Sequence, residues 1–217
     1  VSHPQAIFFD LDGTLIDTAP DMGGALNRML EKRQRPVVPA EVYRSSVSHG
    51  SIALLKLGFP ELGAEEIKEL KAEFLQTYAD GVCIDSKLFD DAEQLLASIE
   101  SLKIPWGIVT NKPEGLTLTL LETLELRSRC CSIIGADTTT HAKPHPAPMQ
   151  LACTQTGVSS DNCFYVGDAE RDIQAGRSVN MKTFIAGWGY IDARHDNTDS
   201  WQADVFLQKP LELLEYL

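Results

Sequence analysis

The run Ala6-Ile7-Phe8-Phe9-Asp10-Leu11-Asp12-Gly13-Thr14-Leu15 decides how the chain folds. Ala6 to Phe9 are apolar without alternation, which suits a strand buried on both faces of a parallel sheet. Side chains two apart on an extended chain point the same way. Asp10 and Asp12 are therefore expected to face a space beyond the strand end, with Leu11 turned away. Gly13 permits a tight turn there. Two carboxylates this close repel unless a cation or a proton lies between them. On spacing alone the pair also fits an acidic strand-end turn or a simple calcium loop.

Further apolar runs follow. Trp106-Gly107-Ile108-Val109 ends at Thr110, Ser132-Ile133-Ile134 is short, and Cys163-Phe164-Tyr165-Val166 ends at Gly167-Asp168. Lys182 to Ile185 and Asp204 to Leu207 complete the set. Helical periodicities lie between them: Ala92, Leu95, Leu96, Ile99 and Leu102; then Leu116, Leu120, Leu121 and Leu124; then Ile173 to Val179, with Asn180 as a left-handed C-cap. The alternation predicts an α/β fold, a doubly wound parallel sheet with a Rossmann-like core.

One interval breaks the alternation. Between the first strand and the helix before the second, the stripes are all helical: Met22, Leu26, Met29 and Leu30; Ile52 to Leu57; Ile67, Leu70, Phe74, Leu75 and Tyr78. A crossover needs only one helix, so the excess is expected to be an inserted helical cap domain at 18–84, on a core formed by 1–17 and 85–217. The insert leaves from a strand's carboxyl end, where open α/β sheets bind ligands, and can serve as a lid. Asp17 is expected to form the hinge, or to cap the first inserted helix with Thr18.

Composition narrows the function. The chain of 217 residues carries a net charge of −12, which argues against a nucleic-acid partner. Eleven acids against three lysines in Glu61–Glu100 suggest a solvated helical face. No long uncharged apolar stretch suggests a membrane partner. The first residues lack the pattern of a secretory signal, and the five cysteines match no zinc spacing, so a cytoplasmic protein with reduced packing cysteines is expected. A monomer or weak dimer is expected. An acidic protein that handles an anion needs a metal ion or a placed lysine beside it.

The string Asp10-Leu11-Asp12-Gly13-Thr14-Leu15 resembles the first motif of the haloacid dehalogenase-like hydrolases. Three more motifs follow in that family's order over essentially the whole chain: Val109-Thr110-Asn111-Lys112, Lys143-Pro144, and Gly167-Asp168-Ala169-Glu170-Arg171-Asp172. The resemblance implies a phosphatase whose Asp10 is the nucleophile, forming an aspartyl-phosphate, with Asp12 as general acid and then base. It implies that Thr110 and Lys143 hold the phosphoryl group, with Asn111 assisting, and that Mg²⁺ is held by Asp10, the carbonyl of Asp12, and Asp168. Asp172 is expected to hold a metal-bound water or the lysine; its alternative is a helix N-terminal partner. His49, in Ser48-His49-Gly50 of the insert, is a substrate-specificity candidate beside its reading as an exposed loop histidine. His145 is given no chemical role, and Trp188 and Tyr190 are expected to be loop anchors or to line the rim of the site.

The substrate is expected to be a small phosphorylated metabolite. The short cap and the entry Asp17-Thr18-Ala19-Pro20-Asp21 are most similar to bacterial phosphoglycolate phosphatases. Lys143 to Cys153 and Ile104 to Thr110 also resemble a branch acting on N-acetylmuramic acid 6-phosphate. A sugar phosphomutase shares the aspartate pair. Asp12 counts against a dehalogenase, the helical insert against a receiver-type signalling domain, and the full motif set against a non-catalytic binding protein.

Overall fold

A computed structural model describes residues 3–192 and 194–217. In chain order its strands are β1 (Ala6–Phe9), β2 (Ile16–Asp17), β3 (Lys87–Leu88), β4 (Trp106–Val109), β5 (Ile133–Ile134), β6 (Cys163–Gly167), β7 (Lys182–Ala186) and β8 (Val205–Leu207). The α-helices are α1 (Ala19–Lys32), α2 (Ala40–Tyr43), α3 (Gly50–Gly58), α4 (Ala64–Ala79), α5 (Ala92–Ser101), α6 (Glu114–Thr123), α7 (Ala147–Thr156) and α8 (Glu170–Ser178).

The main sheet runs β5-β4-β1-β6-β7-β8, every pair parallel. The order reverses at β1, which pairs with β4 on one side and β6 on the other. The carboxyl end of such a switch point opens into a crevice, and Asp10 is the next residue. The uninterrupted apolar run has its reason here. Ile7 and Phe9 pack on one face with Leu96 of α5 and Leu120 of α6. Ala6 and Phe8 pack on the other with Met149 of α7 and Ala175 of α8. Burying each large side chain stabilises by about 1.5–3 kcal/mol.

Helices α1 to α4 lie between β2 and β3, which pair antiparallel as a separate ribbon, Ile16 opposite Leu88 and Asp17 opposite Lys87. These helices share an apolar core built from Leu26 and Leu30, Leu54 and Leu55, and Phe74 and Tyr78. Buried Asp21 ties α1 to the returning chain, accepting the amides of Asp85 and Ser86 at 3.0 and 2.8 Å. Asn180 follows α8 with φ of 61°, as its sequence position suggests.

The expected side-chain cap on α1 is absent. Thr18 makes no capping hydrogen bond; its hydroxyl donates to Asp12 Oδ1 at 2.6 Å. The phenol oxygen of Tyr190 does the work instead, accepting the amides of Thr18 and Ala19 at 2.7 and 2.9 Å and donating to Asp17 Oδ1 at 2.9 Å. Asp17 also receives both guanidinium nitrogens of Arg44, at 3.0 and 2.9 Å. A cap supplied from a loop beyond β7 has no local sequence signature.

Candidate active site

Asp10 extends β1, its amide bonded to Val166 O at 2.9 Å and its side chain 3% exposed. Lys143 Nζ lies 3.0 Å from Asp10 Oδ1. The three ammonium protons go elsewhere, to Val109 O at 2.8 Å, Tyr165 Oη at 2.7 Å and Asp172 Oδ1 at 2.7 Å. Asp10 Oδ1 is thus buried beside a positive charge yet takes no hydrogen bond. Burial pushes the proton affinity of Asp10 up, but attraction to Lys143 and Arg171 outweighs it and holds the carboxyl below its ordinary range. An ionised carboxylate at the cavity wall is suited to nucleophilic attack.

Lys143 is positioned by Asn111. The Asn111 amide accepts from Lys143 N and donates to Lys143 O, both at 2.9 Å. Asn111 also borders the cavity, while its side-chain amide clamps the lysine's main chain.

Asp168 follows β6 and approaches Asp10 from the neighbouring strand. Oxygens of Asp10, Asp168 and Asp172 lie within 4.8 Å of one another, all buried. Burial first, then repulsion from Asp10 and Asp172, pushes the Asp168 carboxyl up to about 7, although Ser48 and the Tyr190 amide stabilise its charge. Its Oδ2 accepts from Ser48 Oγ at 2.6 Å and from Tyr190 N at 3.0 Å, while Oδ1 has no partner. Two buried, unbonded carboxylate oxygens, one each on Asp10 and Asp168, form a donor set that suits a hard cation. Asp172 differs: its Oδ1 holds Lys143 and its Oδ2 accepts Ala169 N at 3.0 Å, at the start of α8. It therefore fulfils the lysine expectation and its helix-terminal alternative together. Gly13 is required where the turn passes Asp168. At its φ of 84°, a Cβ would lie 2.2 Å from Asp168 Oδ2.

Asp12 faces the same side as Asp10 but is more open, with 15% of its side chain exposed. Its Oδ1 accepts from Lys112 Nζ at 2.9 Å. Burial disfavours the Lys112 charge, yet attraction to Asp12 outweighs that and raises its proton affinity. The Asp12 carboxylate is outside the three-acid group. A cavity of about 330 Å³ opens beyond Asp10 and Asp12. Thr110 and Lys112 line its core side, Ser48, His49, Phe74 and Tyr78 its cap side, and Arg171 its edge. Thr110 Oγ1 accepts the Lys112 amide at 3.2 Å. His49 is exposed at the cavity wall, while His145 stacks on His141 away from it. Arg171 is drawn toward charge by Asp172, Asp10 and Asp168 against the cost of its burial.

Sequence reasoning assigned no chemistry to Lys112, Ser48, Arg171 or Tyr78. Lys112 and Arg171 lie inside quoted motifs, so the signal was an unassigned cation within each motif. Ser48 had a weaker signal, its place beside His49. Tyr78 read as one more member of an apolar stripe.

This geometry occurs in a chain whose residues 7–186 match the pattern of the haloacid dehalogenase-like hydrolases. A phosphoglycolate phosphatase of Xylella fastidiosa (strain Temecula1) is 44% identical over 209 residues, covering 96% of this chain and 91% of that protein. An N-acetylmuramic acid 6-phosphate phosphatase of Pseudomonas putida is 38% identical over 212 residues, covering 96% and 94%. A haloacid dehalogenase-like hydrolase from Streptococcus pneumoniae shares the fold, with a TM-score of 0.83 at 24% identity over 97% of both chains. No helix among the described residues is long and apolar enough to cross a membrane. With the four motifs converging on one crevice and the match running from the first strand to the end of β7, the chain belongs to the haloacid dehalogenase-like hydrolase family.

Proposed function

We propose that the chain is a Mg²⁺-dependent phosphatase that hydrolyses 2-phosphoglycolate through an aspartyl-phosphate on Asp10. The observation that carries this is the contrast between two neighbouring carboxylates. Asp10 is buried, held ionised beside Lys143 and lines the cavity. Asp12 is more open and faces the cavity that a leaving group would occupy. Different surroundings suit them to different tasks, nucleophile and proton carrier.

In the first step an Asp10 oxygen attacks phosphorus as the ester bond breaks. The leaving oxygen takes a proton from Asp12, in its protonated form. In the second, Asp12 removes a proton from water, the water oxygen attacks phosphorus, and the Asp10–phosphorus bond breaks. Inorganic phosphate leaves and Asp10 is regenerated. Lys143 supplies positive charge beside the phosphoryl group, and the Thr110 hydroxyl and Arg171 supply hydrogen bonds to its oxygens. Asp10, the Asp12 carbonyl and Asp168 would hold Mg²⁺, which when bound neutralises charge on the phosphoryl group; Asp172 serves by fixing Lys143.

The substrate rests on the names borne by relatives at 43–44% identity and on the cations of this small cavity, Lys112, Lys71 and Arg171. A second reading, N-acetylmuramic acid 6-phosphate, is favoured by the relative at 38% identity and by the apolar lining of Ile52, Leu75 and Leu116. Phosphate release from 2-phosphoglycolate with Mg²⁺, compared with EDTA and with Asp10→Asn, tests the proposal. Turnover should vanish in both controls. Activity that survives Asp10→Asn sinks the nucleophile assignment.

A further inference from the structure

The cavity has a polar corner that neither step uses. Tyr78, near the end of α4, is 1% exposed, and its hydroxyl makes no hydrogen bond of normal geometry among the described residues, with the Lys112 ammonium beside it. Lys112 Nζ lies 4.5 Å from the centre of the Tyr78 ring, and only 3% of the lysine side chain is exposed. Both residues line the cavity, as does Asp12, the only carboxylate paired with this lysine among the described residues. Buried polar groups normally have partners. A phenol without one, beside a buried ammonium on a cavity wall, is a site prepared for an anion.

We propose that Lys112 and Tyr78 form a carboxylate subsite that recognises the acid group of a short phosphorylated hydroxy acid, an inference that rests on the phosphatase reading above. Distances support the pairing. The leaving oxygen must come within hydrogen-bond reach of Asp12, about 2.6–3.2 Å. Lys112 Nζ is 2.9 Å from Asp12 Oδ1. In the phosphate ester of a 2-hydroxy acid, the ester oxygen and the nearer carboxylate oxygen are about 3 Å apart by standard bond lengths. One small ligand can therefore set its ester oxygen on Asp12 and its carboxylate on Lys112, with the Tyr78 hydroxyl donating to the second carboxylate oxygen. The ammonium has three donors, so it can serve Asp12 and the ligand together.

The two partners come from different elements that meet at this corner, Lys112 from the loop after β4 and Tyr78 from α4. A carboxylate held by both would bridge core and cap. An ester without the acid group forfeits both contacts and leaves the hydroxyl unpaired, which is the arrangement that discriminates most strongly between similar substrates. An acid group far from the ester, as on a large sugar, cannot reach this corner while its ester oxygen is on Asp12.

The test compares kcat/KM for 2-phosphoglycolate and for ethyl phosphate, the same two-carbon ester without the acid. Wild-type enzyme should prefer phosphoglycolate. Tyr78→Phe should reduce that preference about tenfold, chiefly by raising KM for phosphoglycolate. Lys112→Met should reduce it about 100-fold, and Lys112→Arg should restore part of it. If Lys112→Met does not fold, Tyr78→Phe alone decides, because it removes one exchangeable hydroxyl and keeps the ring. A preference unchanged in Tyr78→Phe and Lys112→Met, with both substrates slowed equally, overturns the subsite alone. A wild-type enzyme that cleaves ethyl phosphate as well as phosphoglycolate overturns the subsite and the substrate assignment together.

Discussion

Ser48 of the helical insert donates a 2.6 Å hydrogen bond to Oδ2 of Asp168, 120 residues further along the chain. The bond joins the loop before α3 to the end of β6, so the insert is latched onto one of the acids that would hold the metal. The second acceptor contact of the same oxygen, from Tyr190 N at 3.0 Å, comes from the core. The same oxygen thus bonds both the insert and the core.

Removing that latch has a defined consequence. Ser48→Ala should lower kcat/KM about tenfold, the equivalent of one hydrogen bond to a charged group. Amide exchange around Ser48–Ile52 should speed up while β6 stays protected. Unchanged kinetics and unchanged exchange would show that the bond does not hold the insert closed.

Stability should depend on pH in a direction unusual for an acid. The Asp168 carboxyl is pushed up to about 7, from 3.8, first by burial and then by Asp10 and Asp172. Between these values the folded chain binds a proton that the unfolded chain does not, so this contribution to stability falls as pH rises from about 4 to 7 and is flat above. The loss is roughly 4 kcal/mol at most. Denaturant unfolding in EDTA, wild type minus Asp168→Asn, should show this slope, and Mg²⁺ should flatten it. A difference that grows with pH would contradict it.

Tyr190 replaces the missing side-chain cap of α1. Its oxygen satisfies two main-chain amides, of Thr18 and Ala19. Tyr190→Phe should leave both buried and unpaired, costing about 2 kcal/mol, and lower the melting temperature by roughly 5 °C in a chain of this size. A melting point within a degree of wild type would mean that water replaces the phenol.

Among the described residues Lys143 is the only cation bonded to buried Asp172. Lys143→Met strands two buried carboxylates, those of Asp10 and Asp172, and should cost about 3–5 kcal/mol along with turnover. Chemical denaturation measures the first and phosphate release the second. A stable variant with near-normal turnover would remove Lys143 from both roles.

How much was legible follows from how local each signal is. Asp10 and Asp12 could be read because two residues on one strand end share a direction, and the apolar run before them because β1 is covered on both faces. The fold followed from such runs and the helices between them. The family motifs led to Lys143 and Asp168, which the structure brings beside Asp10. Ser48, Lys112 and Tyr78 were not legible as working parts. Their partners lie far away in sequence, and nothing in an i, i+4 stripe distinguishes a tyrosine that only packs from one whose hydroxyl also sits beside a buried lysine. The bond of the Asn111 amide to the main chain of Lys143 was likewise not legible, because the two residues lie 32 apart in sequence.

The most direct test of the proposed activity is kcat/KM of the Mg²⁺-supplied enzyme for 2-phosphoglycolate against N-acetylmuramic acid 6-phosphate. A carboxylate held by Lys112 and Tyr78 beside Asp12 predicts at least about a tenfold preference for phosphoglycolate. A clear preference for the sugar phosphate would contradict it and assign the cavity to the larger leaving group.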